Sequence, residues 1–449
     1  MSKKDTLKLI IKMSIPPAIS MLIQSLYNII DSIYITKFDP SAMEALSIVF
    51  PIQNIILAIG VGIGIGINAY VSIKLGQKRK SEAENAATLG VLASCVHYIL
   101  VVIIGLLLCK PFIKSFTSDA KVIDYALLYI RLMIITSFNV VIQISFEKIL
   151  QADGKMSLPM YALFVGALLN IVLDPIFIFV CDMGVLGAAI ATIIGQLTAT
   201  IMMLCFTFSK KNTIRLSLKK LKWDPQALKA IYKVGIPSVL ITGIPSIMVS
   251  VMNLILIGIS TTAVTTFGIY YKIQNFVYMA VCGICQGVMP VISYNYGARN
   301  KNQFNLVVKE SLLLSAGLGL FFNILFLIIP GPLMKLFYSD AAMINSTKVF
   351  LQIASFSFIL GSFNYVLGGY FQAIQKGFKS LLVNILRQFI FLLPLAYLFG
   401  YLLGEKGVYL GLVISETLTF IFAFIFYMDS KKKLNRYFDE NNVDEDNIE

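Results

Sequence analysis

The chain has 449 residues, of which 57% are hydrophobic and 14% charged, against roughly 25% charged in an average soluble domain. That composition argues against a soluble globular protein and places the chain in a bilayer. The net charge of +13 does not indicate a nucleic-acid partner, because the basic residues punctuate apolar runs and form no patch.

A spanning helix needs about 20 mostly apolar residues. Charged and Gly/Pro breaks divide the chain into twelve such runs: 8–36, 46–74, 86–109, 122–150, 157–181, 185–208, 228–258, 266–296, 304–330, 344–374, 379–403 and 407–428. The first is too long for a signal-peptide core and no small-residue cleavage site follows it, so it is expected to be a retained helix. It carries Pro16-Pro17, which free backbone carbonyls and mark a bend point. Beyond them, Gln24, Asn28 and Asp31 share one face, with Tyr27 four residues before Asp31. This stripe is a candidate cleft lining; polar helix packing is the simpler alternative.

The second run holds Gln53 and Gly60-x-Gly62-x-Gly64-x-Gly66. Inside a span, such a string fits small-residue helix packing better than a nucleotide loop. The lone His97 of the third run is read as packing rather than proton relay. Asn139, Gln143 and Glu147 stripe the fourth run, with Glu147 expected to pair locally with Lys148. The fifth carries Asn170, Asp174 and Pro175, and the sixth Thr192. The eighth carries Lys272, Gln274 and Cys282-x-x-Cys285. That cysteine pair has a redox spacing but lies in an apolar run with no basic partner, so packing is the reading. Arg387 of the eleventh run is expected to snorkel to the inner surface. Glu416 of the twelfth is read as the one carboxylate inside a span of the second half, a secondary coupling candidate.

Orientation follows from Lys and Arg. Lys3, Lys4, Lys8 and Lys12, the loops around Lys78–Lys80, Lys155, Lys210–Lys222, Arg299–Lys301 and Lys376–Lys379, and Lys431–Arg436 all fall on one side. Both termini are therefore expected in the cytoplasm. The expected organisation is an N-terminal six-helix lobe (1–208), a cytoplasmic linker (209–227), a C-terminal six-helix lobe (228–430) and a cytoplasmic tail (431–449). The acidic end, Asp439 to Glu449, is expected to be disordered.

The two halves echo each other at a constant step of 221. Ile15-Pro16 returns as Ile236-Pro237, Ile52-Gln53-Asn54 as Ile273-Gln274-Asn275, and Gly62, Gly66 and Gly76 as Gly283, Gly287 and Gly297. Phe116-x-Ser118-Asp119-Ala120 returns as Phe337-x-Ser339-Asp340-Ala341, and Gln151-Ala152 as Gln372-Ala373. Two like halves of six spans form a parallel repeat, which is typical of transporters. Gln53 and Gln274 occupy equivalent places.

Enzyme chemistry finds no support. The chain has no G-x-x-x-x-G-K-[ST], no G-x-S-x-G and a single histidine. No cofactor is expected, and work must come from an ion gradient. Coupling needs an ionisable group inside the bilayer, where a carboxylate costs about 2.5–3.5 kcal/mol on insertion scales. Asp31 and Asp174 are the two candidates. Counted from the outer turns at about 1.5 Å per residue, Asp31, Asp174 and Thr192 fall at a similar depth, and Asn170 is one turn from Asp174. Pro175 releases the Ile171 carbonyl beside them. This all-oxygen set suits Na⁺ or a shared proton, since two close carboxylates in a low dielectric cannot both stay ionised without a cation. The alternative is that both acids lie at frayed helix ends in water. The 221-residue step places Met252 opposite Asp31, Phe391 opposite Asn170, and Leu393-Pro394 or Leu395 opposite Asp174, so the acids belong to one half alone.

The segments Tyr27-Asn28-Ile29-Ile30-Asp31, Asn170-Ile171-Val172-Leu173-Asp174-Pro175-Ile176, Gly184-Val185-Leu186-Gly187-Ala188-Ala189 leading to Thr192, Tyr271-Lys272-Ile273-Gln274 and the paired Gln-Ala turns resemble the multidrug and toxic compound extrusion (MATE) family, in particular its MepA-type bacterial exporters. The resemblance spans residues 5–435. It implies an all-α polytopic membrane protein with twelve transmembrane helices in two pseudo-symmetric six-helix lobes, forming a V around a central cleft. It also implies drug/cation antiport in which Asp31, Asn170, Asp174 and Thr192 take H⁺ or Na⁺. Many members carry a further acid in helix 7 or 10, which this chain lacks.

The expected function is export of amphipathic or cationic drugs and dyes in exchange for H⁺ or Na⁺ by alternating access. Cleft candidates are Gln24, Tyr27, Asn28, Gln53, Asn139, Gln143, Glu147, Lys272 and Gln274, and hinge candidates are Pro16, Pro17 and Pro175. The protein is expected to be a monomer in the bacterial cytoplasmic membrane, with no nucleic-acid partner. The competing reading, a lipid-linked precursor flippase, predicts several buried Arg or Lys side chains to meet phosphates.

Overall fold

In the computed structural model, residues 2–335 and 341–439 are described, apart from the side chains of residues 261, 262, 341–343 and 346. The second copy of the Phe-x-Ser-Asp turn and the acidic end after Asp439 lie outside the described residues.

The described residues form α-helices and no strand. The first half contains α1 (Lys3–Phe38), α2 (Pro40–Gly76), α3 (Lys80–Lys114), α4 (Ala120–Ile135), α5 (Phe138–Ala152), α6 (Ser157–Pro175) and α7 (Gly184–Thr207). The second contains α8 (Pro225–Ile257), α9 (Thr261–Gly297), α10 (Lys301–Ile328), a short α11 (Pro330–Met334), α12 (Ala341–Ser355), α13 (Ser357–Ala373), α14 (Gly377–Ile385), α15 (Leu393–Leu403) and α16 (Glu405–Asp439). π-helical turns occupy Ile176–Val180 and Leu386–Leu392. Among the described residues, ten helices are long and apolar enough to cross a membrane, and twelve spans result if the bent pairs α4/α5 (41°) and α12/α13 (46°) each count as one.

The spans start where side chains satisfy free backbone N–H groups. Asp39 caps α2 through the Ser41 N–H at 2.9 Å, Asp119 caps α4, and Asn300 caps α10. The last helix runs to Asp439, so residues 431–439 of the expected tail are helical. Leu434 and Phe438 are buried along it, and this packing carries the helix past its apolar stretch.

The repeat extends to the backbone. Lys78 and Arg299, 221 residues apart, both adopt left-handed φ values (59° and 54°), as do Gly154 (78°) and Gln375 (61°). The turns are closed by matching bonds, Arg79 N–H to Lys74 O and Asn300 N–H to Asn295 O.

The molecule divides into two compact units, one of residues 19–243 and one of residues 1–18 with 244–449. The division falls inside α1 and α8 rather than in the 209–227 segment. Glycine explains this. A Cβ on Gly66 of α2 would lie 2.2 Å from the Ile231 carbonyl oxygen of α8, and one on Gly62 would lie 2.7 Å from that of Gly235. In the other unit, a Cβ on Gly287 of α9 would lie 2.5 Å from the Met13 carbonyl oxygen of α1, and one on Gly283 2.3 Å from Ala18 Cβ. Each half therefore lends the first part of its opening helix to the other half's second helix. Gly60 and Gly64, on the opposite face of α2, admit Ile144 and Lys148 of α5. Proline flanks both divisions, at Pro16-Pro17 and at Pro245.

Candidate cation site

The unit of residues 19–243 contains all four candidate coupling residues. Asp31 lies on α1, Asn170 and Asp174 on α6, and Thr192 on α7. All are buried, Asp31 at 9% exposure and Asp174 at 0%, so the alternative of frayed, hydrated ends does not apply. Asn170 Nδ2 donates to Asp174 Oδ1 at 3.2 Å and reaches Thr192 Oγ1 at 3.4 Å. Gly195 makes this closeness possible: a Cβ there would meet the Gly166 carbonyl oxygen at 2.6 Å and Asn170 Cβ at 3.1 Å. Asp31 is near enough to Asp174 to act on it electrostatically. Pro175 ends α6 and the π-turn Ile176–Val180 follows at once, a departure from regular helix common at functional sites.

Three oxygens here, Asp31 Oδ1, Asn170 Oδ1 and Asp174 Oδ2, are buried with no hydrogen-bond donor. Buried polar atoms are ordinarily satisfied. Every atom left over is an acceptor, which is the complement of a cation or of a proton shared between the carboxylates. Oxygen-only ligation suits a hard cation. Among the described residues, no three His, Cys, Asp or Glu side chains gather as a metal-binding group.

Tyr129 of α4 is a member that sequence inspection missed. It is buried, within electrostatic reach of Asp31 and Asp174, and its hydroxyl accepts from Gln53 Nε2 at 3.4 Å. Its only sequence signal is a polar group within an apolar face.

Of the remaining candidates, Tyr27 is half-buried, hydrogen-bonds Gln24 and lies within electrostatic reach of Asp31 and Asp174, as Tyr129 does; Gln24 and Asn28 are exposed. Asn139 is fully buried with neither side-chain atom bonded, while Gln143 Oε1 accepts from Thr200 at 3.2 Å. Glu147 pairs with Lys148 at 2.9 Å and accepts from Gln151 at 2.8 Å. In the other unit Lys272 is exposed, and Gln274 donates to the Tyr270 hydroxyl at 2.9 Å. His97 packs on Tyr232, ring centroids 5.7 Å apart.

Two expectations fail. Arg387 does not snorkel: it is buried and its Nε lies 2.7 Å from Glu416 Oε1, because pairing inside the helix packing replaces the need for water. Glu416 is also not the one carboxylate within a span of the second half. Glu310 of α10 is buried too, 3.6 Å from Lys3.

Packing also corrects the correspondence between halves. A Cβ on Gly187 would press on the Phe177 backbone at 2.6 Å, and one on Gly407 on the Phe399 backbone at 1.9 Å. The matched contacts pair Asp174 with Ala396, Asn170 with Leu392 and Thr192 with Leu412. The wider π-turn Leu386–Leu392 takes up one extra residue, which is why a uniform step pointed to Phe391 and Leu393–Leu395. Met252, Leu392, Ala396 and Leu412 are all buried in one apolar cluster. The second copy of the site is therefore plugged with hydrocarbon.

The sequence profile of the MatE family matches residues 16–176 and again 237–398, one match per repeat. The chain belongs to the MatE family. This MatE chain is 24% identical over 424 residues to the multidrug export protein MepA of Staphylococcus aureus (strain bovine RF122 / ET3-1), covering 94% of both. It is 25% identical over 428 residues to MepA of Staphylococcus saprophyticus, again covering 94% of both. Its fold is similar to a crystal structure of MATE in complex with MaL6 (TM-score 0.92, 25% identity, 96% of this chain and 97% of that one). It is likewise similar to an outward-facing multidrug resistance MATE family transporter of the MOP superfamily (TM-score 0.91, 26% identity, the same coverage). The MatE fold here is that of an all-helical, multi-pass membrane protein.

Proposed function

We propose that this MatE protein is a secondary active exporter of amphipathic or cationic drugs, driven by exchange for H⁺ or Na⁺ at Asp31, Asn170, Asp174 and Thr192. The observation that carries this reading is the trio of buried, donorless oxygens on Asp31, Asn170 and Asp174. A site that must be loaded to be satisfied, and that holds the charge it needs only transiently, is what ion coupling requires. The likeness to MepA multidrug exporters along nearly the whole chain supports the substrate class.

The cation binds where the oxygens are unsatisfied and must bind the two conformers with different affinity to drive exchange. Pro16, Pro17 and Pro175 are the places where the helices yield. Both termini face the cytoplasm and the membrane is the bacterial cell membrane, in line with the one-sided Lys/Arg distribution. The flippase reading fares worse. Among the described residues two basic side chains are buried, Lys148 and Arg387, and each is paired with a carboxylate, leaving no buried cation to meet a phosphate.

The test is dye efflux from proteoliposomes under an imposed Na⁺ or pH gradient, with Asp31→Asn as control. Gradient-driven efflux that Asp31→Asn abolishes is the expected result. Efflux indifferent to both gradients, or unchanged in the variant, overturns the proposal.

A further inference from the structure

In the unit of residues 1–18 and 244–449, four elements converge on one carboxylate. Glu416 Oε1 of α16 accepts from Arg387 Nε in the π-turn at 2.7 Å and from the Tyr278 hydroxyl of α9 at 3.4 Å. Glu416 Oε2 accepts from Asn364 Nδ2 of α13 at 2.8 Å. The Arg387 guanidinium lies over two rings, 4.5 Å from the Tyr365 centroid and 5.0 Å from that of Tyr278. The charged side chains are 9% and 5% exposed.

This arrangement repeats the chemistry of the site around Asp174 with one substitution. In both units an asparagine Nδ2 donates to a buried carboxylate oxygen, at 3.2 Å from Asn170 and 2.8 Å from Asn364. In both, the asparagine Oδ1 is left buried without a donor beside that carboxylate. Around Asp174 no cation is built in. Around Glu416 a guanidinium is present, held by a carboxylate and two aromatic faces, which is how proteins recognise organic cations.

We infer that Glu416, Asn364, Tyr278 and Tyr365 form a second cation site that the chain fills with its own Arg387 as a tethered, non-exchangeable cation. The ligand class is a small monovalent cation, with guanidinium-type ions fitting best because they reproduce the bond to Oε1 and the stacking on both rings. For transport the consequence rests on the antiport reading above: the unit containing Glu416 stays permanently loaded, and the exchangeable cation is confined to Asp31 and Asp174. This also gives the second half a charged centre at a place distinct from its hydrocarbon-plugged copy of the Asp174 site.

The test reads cation binding by the purified full chain, so it is separable from any outcome of the efflux assay. Arg387→Ala should unmask the site. Its thermal midpoint should climb by about 2–4 °C as methylguanidinium is raised to saturation. Wild type, with the site filled, and Arg387→Ala/Glu416→Gln, with the carboxylate removed, should show only the smaller shift that binding at Asp31 and Asp174 gives all three proteins alike. Should Arg387→Ala fail to fold alone, its recovery by methylguanidinium in the medium, or by adding Glu416→Gln, supports the inference. A cation response in folded Arg387→Ala no larger than that of wild type, an equal response in the double variant, or failure of both variants to fold under every condition overturns it.

Discussion

Asn170 turns its amide nitrogen to Asp174 Oδ1 at 3.2 Å, and its own Oδ1 is then buried without a donor. One side chain thus satisfies a neighbour while creating an acceptor that nothing in the protein satisfies. The same residue reaches Thr192 at 3.4 Å, so the two helices α6 and α7 are tied at the level of the acid. An unsatisfied buried acceptor costs about 1–3 kcal/mol, a cost that the cation or proton proposed above would offset.

Asp31→Asn should abolish efflux and raise stability together. The substitution removes a buried negative charge that acts on Asp174 and offers an N–H donor where only acceptors meet, and relief of about 1 kcal/mol or more is expected. Efflux and the thermal midpoint in detergent are the paired measurements. An inactive protein with a lowered midpoint would point to a structural role for Asp31 instead.

Gln375→Gly should stabilise the protein. Gln375 has φ of 61°, and its Nε2 and Oε1 are both buried without partners, whereas the equivalent position in the first half is Gly154. A left-handed residue costs roughly 1–2 kcal/mol, and glycine's greater freedom in the unfolded chain returns part of this, leaving a gain of about 1 kcal/mol. Thermal unfolding of the variant decides it, and a lowered midpoint would refute the strain argument.

Gly66→Ala and Gly243→Ala should have opposite signs. A Cβ on Gly66 would sit 2.2 Å from a backbone oxygen, while one on Gly243 finds nothing within 4 Å. The first should destabilise by about 1–3 kcal/mol or more by forcing α2 and α8 apart. The second should stabilise α8 by up to about 1 kcal/mol through helix propensity. Equal effects in the two variants would dismiss the close helix contact as the reason for the Gly66 glycine.

Asp39 predicts a small acid-sensitive contribution. The Lys121 ammonium at 2.6 Å, and then the Ser41 N–H, hold its carboxyl below the usual carboxylate range. Because the folded value is depressed, the stabilisation is present above the unfolded carboxylate range and is lost as pH falls through the folded value. The midpoint gap between wild type and Asp39→Asn should therefore be open at neutral pH and close below about pH 4. A gap that does not change with pH would assign the effect to packing or capping alone.

Hydropathy, charge placement and the 221-residue echo were sufficient for an all-helical membrane chain with two related halves, because each is a local or periodic property of the residues. The acids of one half, their one-turn spacing to Asn170, and the glycine string were legible for the same reason. Tyr129 was not, since nothing in its own segment says that α4 will bring it to α1 and α6. Nor was the pairing of Arg387 with Glu416. A buried charge announces a cost, but its partner is 29 residues away and is chosen by how α16 packs on a π-turn. The exchange of opening helices between the halves also escaped the sequence. Gly62, Gly66, Gly283 and Gly287 state that some backbone approaches closely, and only the tertiary structure shows which one. Composition and period thus determined the elements and the presence of costly groups. The folded packing decided which groups meet, because the energy of a buried charge or orphaned oxygen depends on the atoms within a few ångströms of it, and those come from distant parts of the chain.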